Sequence, residues 1–199
     1  MAKLKALLIF GTRPEAIKMA PVVKECLRRP DEIETIVCLT GQHREMLQQV
    51  TDYFGIKADV DLQLMQPNQT LSRLTARCVQ GLDEVVEERQ PSCIVAQGDT
   101  TTVMASALVA FYRHIPLVHV EAGLRTGNML APWPEEMNRR ITSLVAALHC
   151  APTQRSADNL LAENTDPSSV HVTGNTVIDA LLWAVNRERA NDQQWREKY

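Results

Sequence analysis

The sequence predicts an α/β fold in which a parallel sheet carries helices on both faces. Three observations lead there. Short runs rich in Val, Ile, Leu and Ala alternate with longer segments of helical periodicity. The short runs are apolar on consecutive residues, the mark of strands covered on both sides. Several of them end in polar, glycine-bearing loops, where such sheets place their ligand sites.

The elements follow in order. Residues 4–10 form an apolar run of strand length that closes on Gly11-Thr12-Arg13-Pro14, a turn with proline placed to open a helix. Residues 15–28 carry Ile17, Ala20, Val23 and Leu27 at helical spacing, with Pro21 as a candidate kink. A strand over 34–39 and a helix over 44–54 come next, then a short alternating strand over 59–64 and a long amphipathic helix over 71–89. Strand 93–96, helix 101–113 and strand 117–120 repeat the unit. A polar connection over 123–133 leads to a helix over 134–148 with Pro134 in its first turn, then a strand at 147–151. Helix 153–163 and strand 170–172 complete the sheet, and Gly174-Asn175 introduces a last helix over 176–187. The remaining tail is polar and predicted to fray. No internal repeat or low-complexity tract is visible. Residues 1–173 read as one domain and 174–199 as a connecting helix with the start of another.

Composition narrows the function. The chain has 199 residues, 45% hydrophobic and 23% charged, enough for one substantial core. Its net charge of −3 lacks the basic excess of a nucleic-acid or anionic-membrane surface, so any phosphate must be bound locally. No apolar stretch approaches bilayer length, and no leader pattern precedes the first strand, which points to the cytoplasm. Five scattered cysteines, mostly inside apolar periodic segments, read as core thiols rather than as disulfides or a zinc site.

Three strand-end loops carry the chemistry: Gly11-Thr12-Arg13-Pro14-Glu15 with Lys18 one turn on, Gln97-Gly98-Asp99-Thr100-Thr101, and His119-Val120-Glu121-Ala122-Gly123-Leu124-Arg125. They should converge on one cleft. Gly11 and Gly98 precede helices and could let backbone approach an anion, although tight turns favour glycine on geometry alone. Neither Gly-x-x-x-x-Gly-Lys-Ser/Thr nor Gly-x-Gly-x-x-Gly is present, which excludes a Walker A loop and argues against classical dinucleotide binding. Asp99 reads equally well as a cleft carboxylate or as the N-cap of the helix after it. Glu121 ends an apolar strand, where a simple structural role is harder to find. On the helix opening at Pro134, Glu135 and Arg139 are four apart and able to pair, while Glu136 and Arg140 read as a solvated surface pair.

These three loops, together with Thr40-Gly41-Gln42-His43-Arg44 and Pro134-Glu135-Glu136-Met137-Asn138-Arg139, resemble the non-hydrolysing UDP-N-acetylglucosamine 2-epimerase family in order and spacing. The resemblance implies a Rossmann-like domain forming one half of a type B glycosyltransferase-like fold. It also implies a second, carboxyl-terminal domain with most of the uridine and diphosphate contacts and a cleft histidine, which has no counterpart in these residues. The implied reaction removes the C2 proton and eliminates UDP to give a 2-acetamidoglucal. UDP and a proton then return with inversion at C2, using neither NAD nor metal. By motif match, Asp99, Glu121 and Glu135 are the implied acid/base carboxylates, and Arg13, Lys18 and Arg139 the implied cations for the substrate. Gln42, His43 and Glu136 are implied contacts for a second UDP-N-acetylglucosamine acting as activator, although His43 reads somewhat better as an exposed loop histidine. The implied partners are a UDP-sugar and, for the longer protein, a second copy in a homodimer, with no cofactor, nucleic acid or membrane. A single half should epimerise poorly. A hydrolysing epimerase, a glycosyltransferase-like enzyme and a non-catalytic nucleotide-sugar-binding domain are the alternatives. Apolar residues of the last helix, including Leu181, Leu182 and Trp183, should be left partly uncovered.

Overall fold

The computed structural model describes residues 3–41, 44–66 and 68–190. Its elements are β1 (Leu4–Phe10), α1 (Arg13–Leu27), β2 (Ile33–Leu39), α2 (Arg44–Phe54), β3 (Val60–Asp61), α3 (Leu71–Arg89), β4 (Cys93–Gln97), α4 (Thr101–Tyr112), β5 (Leu117–Val120), α5 (Glu135–Val145), β6 (Leu148–Ala151), α6 (Gln154–Ala162), a 3₁₀ turn (Pro167–Ser169), β7 (Val170–Val172) and α7 (Thr176–Ala190). The seven strands form one sheet in the order β3-β2-β1-β4-β5-β6-β7, and every neighbouring pair is parallel. This is the parallel sheet with helices on both faces expected from the alternation, and the Rossmann-like domain that the resemblance implies. The chain winds outward from β1 in one direction to β3 and in the other to β7. The order therefore reverses between β1 and β4, and the crevice beyond their carboxyl ends is where a ligand fits.

Alternate residues of each strand feed the two cores. Leu7, Ile9, Ile36, Cys38, Ile94 and Ala96 pack under α3 and α4, against Leu82, Val86, Val103 and Ala107. Ala6, Leu8, Phe10, Val37, Leu39 and Val95 pack under α1 and α2, against Met19, Ala20, Val23, Leu47 and Phe54, with Ala180 of α7 closing the layer. Leu7, Leu8, Ile9 and Phe10 are wholly buried, each side chain contributing about 1.5–3 kcal/mol. β1 is consequently held from both faces, which fixes the loop at its carboxyl end.

Threonines start the helices. Thr12, Thr70, Thr100 and Thr153 each accept a backbone N–H from the first turn of α1, α3, α4 and α6. Helix α1 runs through Pro21 as one element. The strand expected over 59–64 is cut to two residues because Gln63 lies in the left-handed region at φ 48°. Leu62 and Leu64 still donate N–H bonds to Leu39 and Thr40. The helix expected over 134–148 ends at Val145, since Ala146 is extended and Ala147 already donates to Leu117 of the neighbouring strand. Helix α7 lies on α1 and α2: Trp183 stacks at 4.9 Å from the Phe54 ring and 5.7 Å from Tyr53. As expected, Ile178, Leu181 and Leu182 remain exposed, whereas Trp183 is half-buried in that aromatic cluster. The five cysteines are all free, three of them buried in the cores. Among the described residues no helix is long and apolar enough to cross a membrane.

Candidate functional site

A cleft of about 480 Å³ opens at the carboxyl ends of β1, β4 and β5. Arg13, Lys18, Asp99 and Glu121 line it, beside Glu15, Gln97 and Thr100. The three polar loops singled out in the sequence therefore meet at the point where the strand order reverses.

Glu121 is held in the cleft by side chains from three elements. Its backbone sits at φ 64°, a left-handed conformation that costs a non-glycine residue about 1–3 kcal/mol. This turn presents the carboxylate to three side-chain donors. One oxygen receives Lys18 Nζ at 2.5 Å and the Gln97 side-chain amide; the other receives Asn175 Nδ2 at 2.8 Å. Lys18 comes from α1, Gln97 from the end of β4 and Asn175 from the residue before α7, so three separate elements hold one carboxylate.

Asp99 is held from behind. Arg139 of α5 donates to its carboxylate from Nε at 2.9 Å and approaches from Nη2 at 2.7 Å, both on the single oxygen Oδ2. Asn138, fully buried, donates from Nδ2 to the Asp99 carbonyl at 2.8 Å. His119, 1% exposed, binds the Gly98 carbonyl at 2.7 Å through Nε2. A carbonyl can only accept, so Nε2 carries the imidazole proton. Burial pulls this histidine down to about 4, opposed by the carbonyl bond and reinforced by His149 and Arg125 nearby. The alternative of Asp99 as an N-cap is set aside by Thr100, whose hydroxyl takes the Val103 N–H.

Glu15 changes the reading of the first loop. Its buried carboxylate accepts the N–H groups of Gly11 at 2.9 Å and Thr12 at 2.7 Å, and the Thr100 hydroxyl at 2.6 Å. Burial raises its carboxyl above the ordinary value, with these donors pulling the other way. The N-terminus of α1 is thus filled by its own helix. Gly11 is needed for packing rather than for ligand approach: a Cβ there would lie 1.9 Å from Thr40 Oγ1. Around Gly98, at φ 88°, the corresponding space is open.

The first turn of α5 departs from expectation at two points. Arg139 does not pair with Glu135; it turns to Asp99 and to Glu136, 3.2 Å away. The carboxylate it needs lies forty residues earlier in the chain, out of reach of any local rule. Glu135 is half-buried at the start of the helix and does not line the cleft. Glu136 with Arg140 is not a solvated surface pair either. Glu136 is 0% exposed and accepts from the backbone of Thr126 and Gly127 as well as from Arg139 and Arg140. Burial pushes its carboxyl up, but those donors outweigh it and hold it below the ordinary value. Gln42 and His43 lie outside the described residues.

Three carboxylates therefore line one cleft: Asp99 and Glu121 each lie against a cation, and Glu15 is held by neutral donors. Arg13, exposed at the rim, has no ion-pair partner among the described residues and is available to an anionic ligand. No cluster of His, Cys, Asp or Glu among the described residues could hold a metal. Sequence reading passed over Glu15, Gln97, Asn138 and Asn175. Three of them stood inside the quoted motifs without a role, and Asn175 was noted only as introducing the last helix.

The model of the UDP-N-acetylglucosamine 2-epimerase family matches residues 24–198. A UDP-N-acetylglucosamine 2-epimerase of Neisseria meningitidis serogroup A is 53% identical over 92% of this chain and 49% of its own length. That of Escherichia coli K12 is 50% identical over 96% and 50%. The crystal structure of the N. meningitidis enzyme bound to UDP-GlcNAc superposes with a TM-score of 0.93, covering 97% of this chain and 52% of that one at 50% identity. MurG of Acinetobacter baumannii, 13% identical with a TM-score of 0.55, shares the fold alone. The domain is thus one half of a type B glycosyltransferase-like fold. The chain spans about half the length of the curated relatives it matches. With the family model matching most of its residues and relatives half-identical in register, the chain belongs to the UDP-N-acetylglucosamine 2-epimerase family.

Proposed function

We propose that this chain is the amino-terminal, sugar-facing half of an isomerase that interconverts UDP-N-acetylglucosamine and UDP-N-acetylmannosamine. The observation that carries the reading is the pairing of Asp99 and Glu121 with separate cations in one cleft, beside an unpaired Arg13. Elimination needs a base for the C2 proton, an acid for the opposite face, and positive charge for the departing diphosphate. Asp99, Glu121 and Glu135 are the proposed proton carriers. Lys18 and Arg139 fix two of them, and Arg13 meets the diphosphate. Glu135 reaches the sugar only if the first turn of α5 shifts toward the cleft. The C2–H bond breaks as the C1–O bond to UDP leaves. Re-addition of UDP to C1 and of a proton to C2 from the other face completes the inversion, with no external oxidant.

Residues 1–173 would form this half and 174–199 the connector to the other, which would supply the rest of the nucleotide contacts. Gln42 and His43 remain proposed contacts for a UDP-N-acetylglucosamine activator. Any contribution of Glu136 would pass through the 126–127 loop it holds. Exposed Phe111, Tyr112 and Leu144 on α4 and α5 support pairing of two copies.

The test is NMR of UDP-N-acetylglucosamine in D₂O with the chain alone and with a separately expressed carboxyl-terminal half of a relative. Deuterium at C2 together with the manno epimer supports the reading, and the mixture should far exceed the chain alone. Free N-acetylmannosamine would favour a hydrolysing enzyme. Silence in both samples would leave a binding domain.

A further inference from the structure

We propose that Asn175 is a positioning residue that fixes the carboxylate of Glu121, tying the start of α7 to the chemistry of the cleft. The inference rests on the epimerase reading for its catalytic consequence. Its structural half stands on the geometry alone.

The Asn175 amide is used at both ends. Its Oδ1 accepts the Val177 N–H at 3.0 Å, capping α7, while its Nδ2 donates to Glu121 Oε1 at 2.8 Å. The orientation admits no flip, because a backbone N–H can only donate and a carboxylate can only accept. Glu121 itself is aimed by a left-handed backbone, and a side chain held at such cost gains nothing unless its rotamer is also held. Lys18 and Gln97 occupy one oxygen; Asn175 alone holds the other among the described residues. Lys18 stands on α1, against which α7 packs through Ala180 and Trp183. Two of the three donors therefore belong to one helical pair, and a movement of α7 over α1 redirects Glu121.

Capping and positioning separate cleanly by substitution. Asn175→Asp keeps an acceptor for the Val177 N–H and is an equally good cap, but it removes the donor and sets a second carboxylate against Glu121. Asn175→Ala loses both functions. Asn175→Ser keeps a cap and is too short to reach Glu121. In the assembled two-half enzyme, positioning predicts kcat losses on the order of 10- to 100-fold in all three, with KM within about twofold, and the Asp variant at least as impaired as Ala. The thermal midpoint should fall by about 2–4 °C in Ala and stay near wild type in Ser. If activity instead follows the cap, with Asp and Ser active and Ala impaired, the proposal is overturned. A second readout uses the chain alone. The Asn175 side-chain amide protons should exchange slowly, and Glu121→Ala, which removes the acceptor, should abolish that protection. Unchanged exchange overturns the contact whatever the activity. A wild-type assembly that turns over no substrate overturns the epimerase reading and the catalytic half of this one, while the exchange result still decides the contact.

Discussion

Replacing Glu136 by alanine should destabilise this domain by about 3 kcal/mol. The figure follows from what surrounds the carboxylate. Thr126 and Gly127 donate backbone N–H groups at 3.1 and 3.3 Å. Both residues are exposed, so water can partly replace the lost acceptor and each N–H costs about 1 kcal/mol, the low end for an unsatisfied donor. Arg139 keeps Asp99 as a partner, and Arg140, 38% exposed, keeps Glu163; together they add little. Loss of one methylene and the space left by the carboxylate of a wholly buried side chain add about 1–2 kcal/mol. For a domain of this size the sum lowers the thermal midpoint by about 6–12 °C, measurable by circular dichroism on the purified chain. Glu136→Gln keeps the shape and should cost about 1 kcal/mol. The carboxyl is held below its ordinary value in the folded state, so its contribution is present above the unfolded value and disappears as pH falls through the folded one. The difference between wild type and Gln should shrink over that acid window. A midpoint change below about 3 °C for Ala, or a difference from Gln that is flat with pH, would refute the assignment of Glu136 as the clamp of the 126–127 loop.

Three further outcomes are expected. His119 is lowered to about 4, so the unfolded chain binds the extra proton first; stability should rise with pH from about 4 to 6.5, by about 3 kcal/mol in total. His119→Gln should flatten that slope in urea titrations; an unchanged slope would place the buried proton acceptor elsewhere. Gly123→Ala puts a Cβ 2.1 Å from the Ser156 carbonyl oxygen at φ 86°, and should cost on the order of 4 kcal/mol from overlap and backbone strain together, read as loss of soluble folded protein. Arg13→Ala removes a side chain with no ion-pair partner among the described residues, so its stability should stay within about 0.5 kcal/mol of wild type. UDP affinity in the assembled enzyme, measured calorimetrically, should fall at least about tenfold, as for a lost charged hydrogen bond. Retained affinity would remove Arg13 from the diphosphate site.

The sheet was legible because its central strands β1, β2 and β4 bury consecutive apolar residues on both faces, a pattern that local sequence carries. Leu7 to Phe10 could sit nowhere else. Convergence of the Arg13, Asp99 and Glu121 loops followed from the rule that places ligands at strand ends. The partners within the site were not legible. A spacing of four suggested Glu135 for Arg139, whereas the actual partner arrives from β4 through the fold. Asn175 reaches Glu121 across more than fifty residues, and no periodicity encodes such a contact. Glu136 looked solvated because two adjacent acids at a helix start usually are; only the return of the 126–127 loop buries it. The glycine before α1 misled for a different reason, since a glycine that admits a ligand and one that admits a neighbouring threonine look the same in one dimension.

The carboxylate of Glu15 at the head of α1 behaves as a tethered competitor. A free phosphate arriving there would have to displace an anion that cannot diffuse away and would itself be left buried without its donors. Its effective concentration is set by the covalent chain rather than by the solution. Soaking with phosphate should therefore leave the Gly11 and Thr12 N–H groups with their own carboxylate at any practical concentration, while a diphosphate reaches this loop through the Arg13 side chain. Engineering a phosphate-binding turn into this half would have to begin by deleting the acid, not by adding glycines.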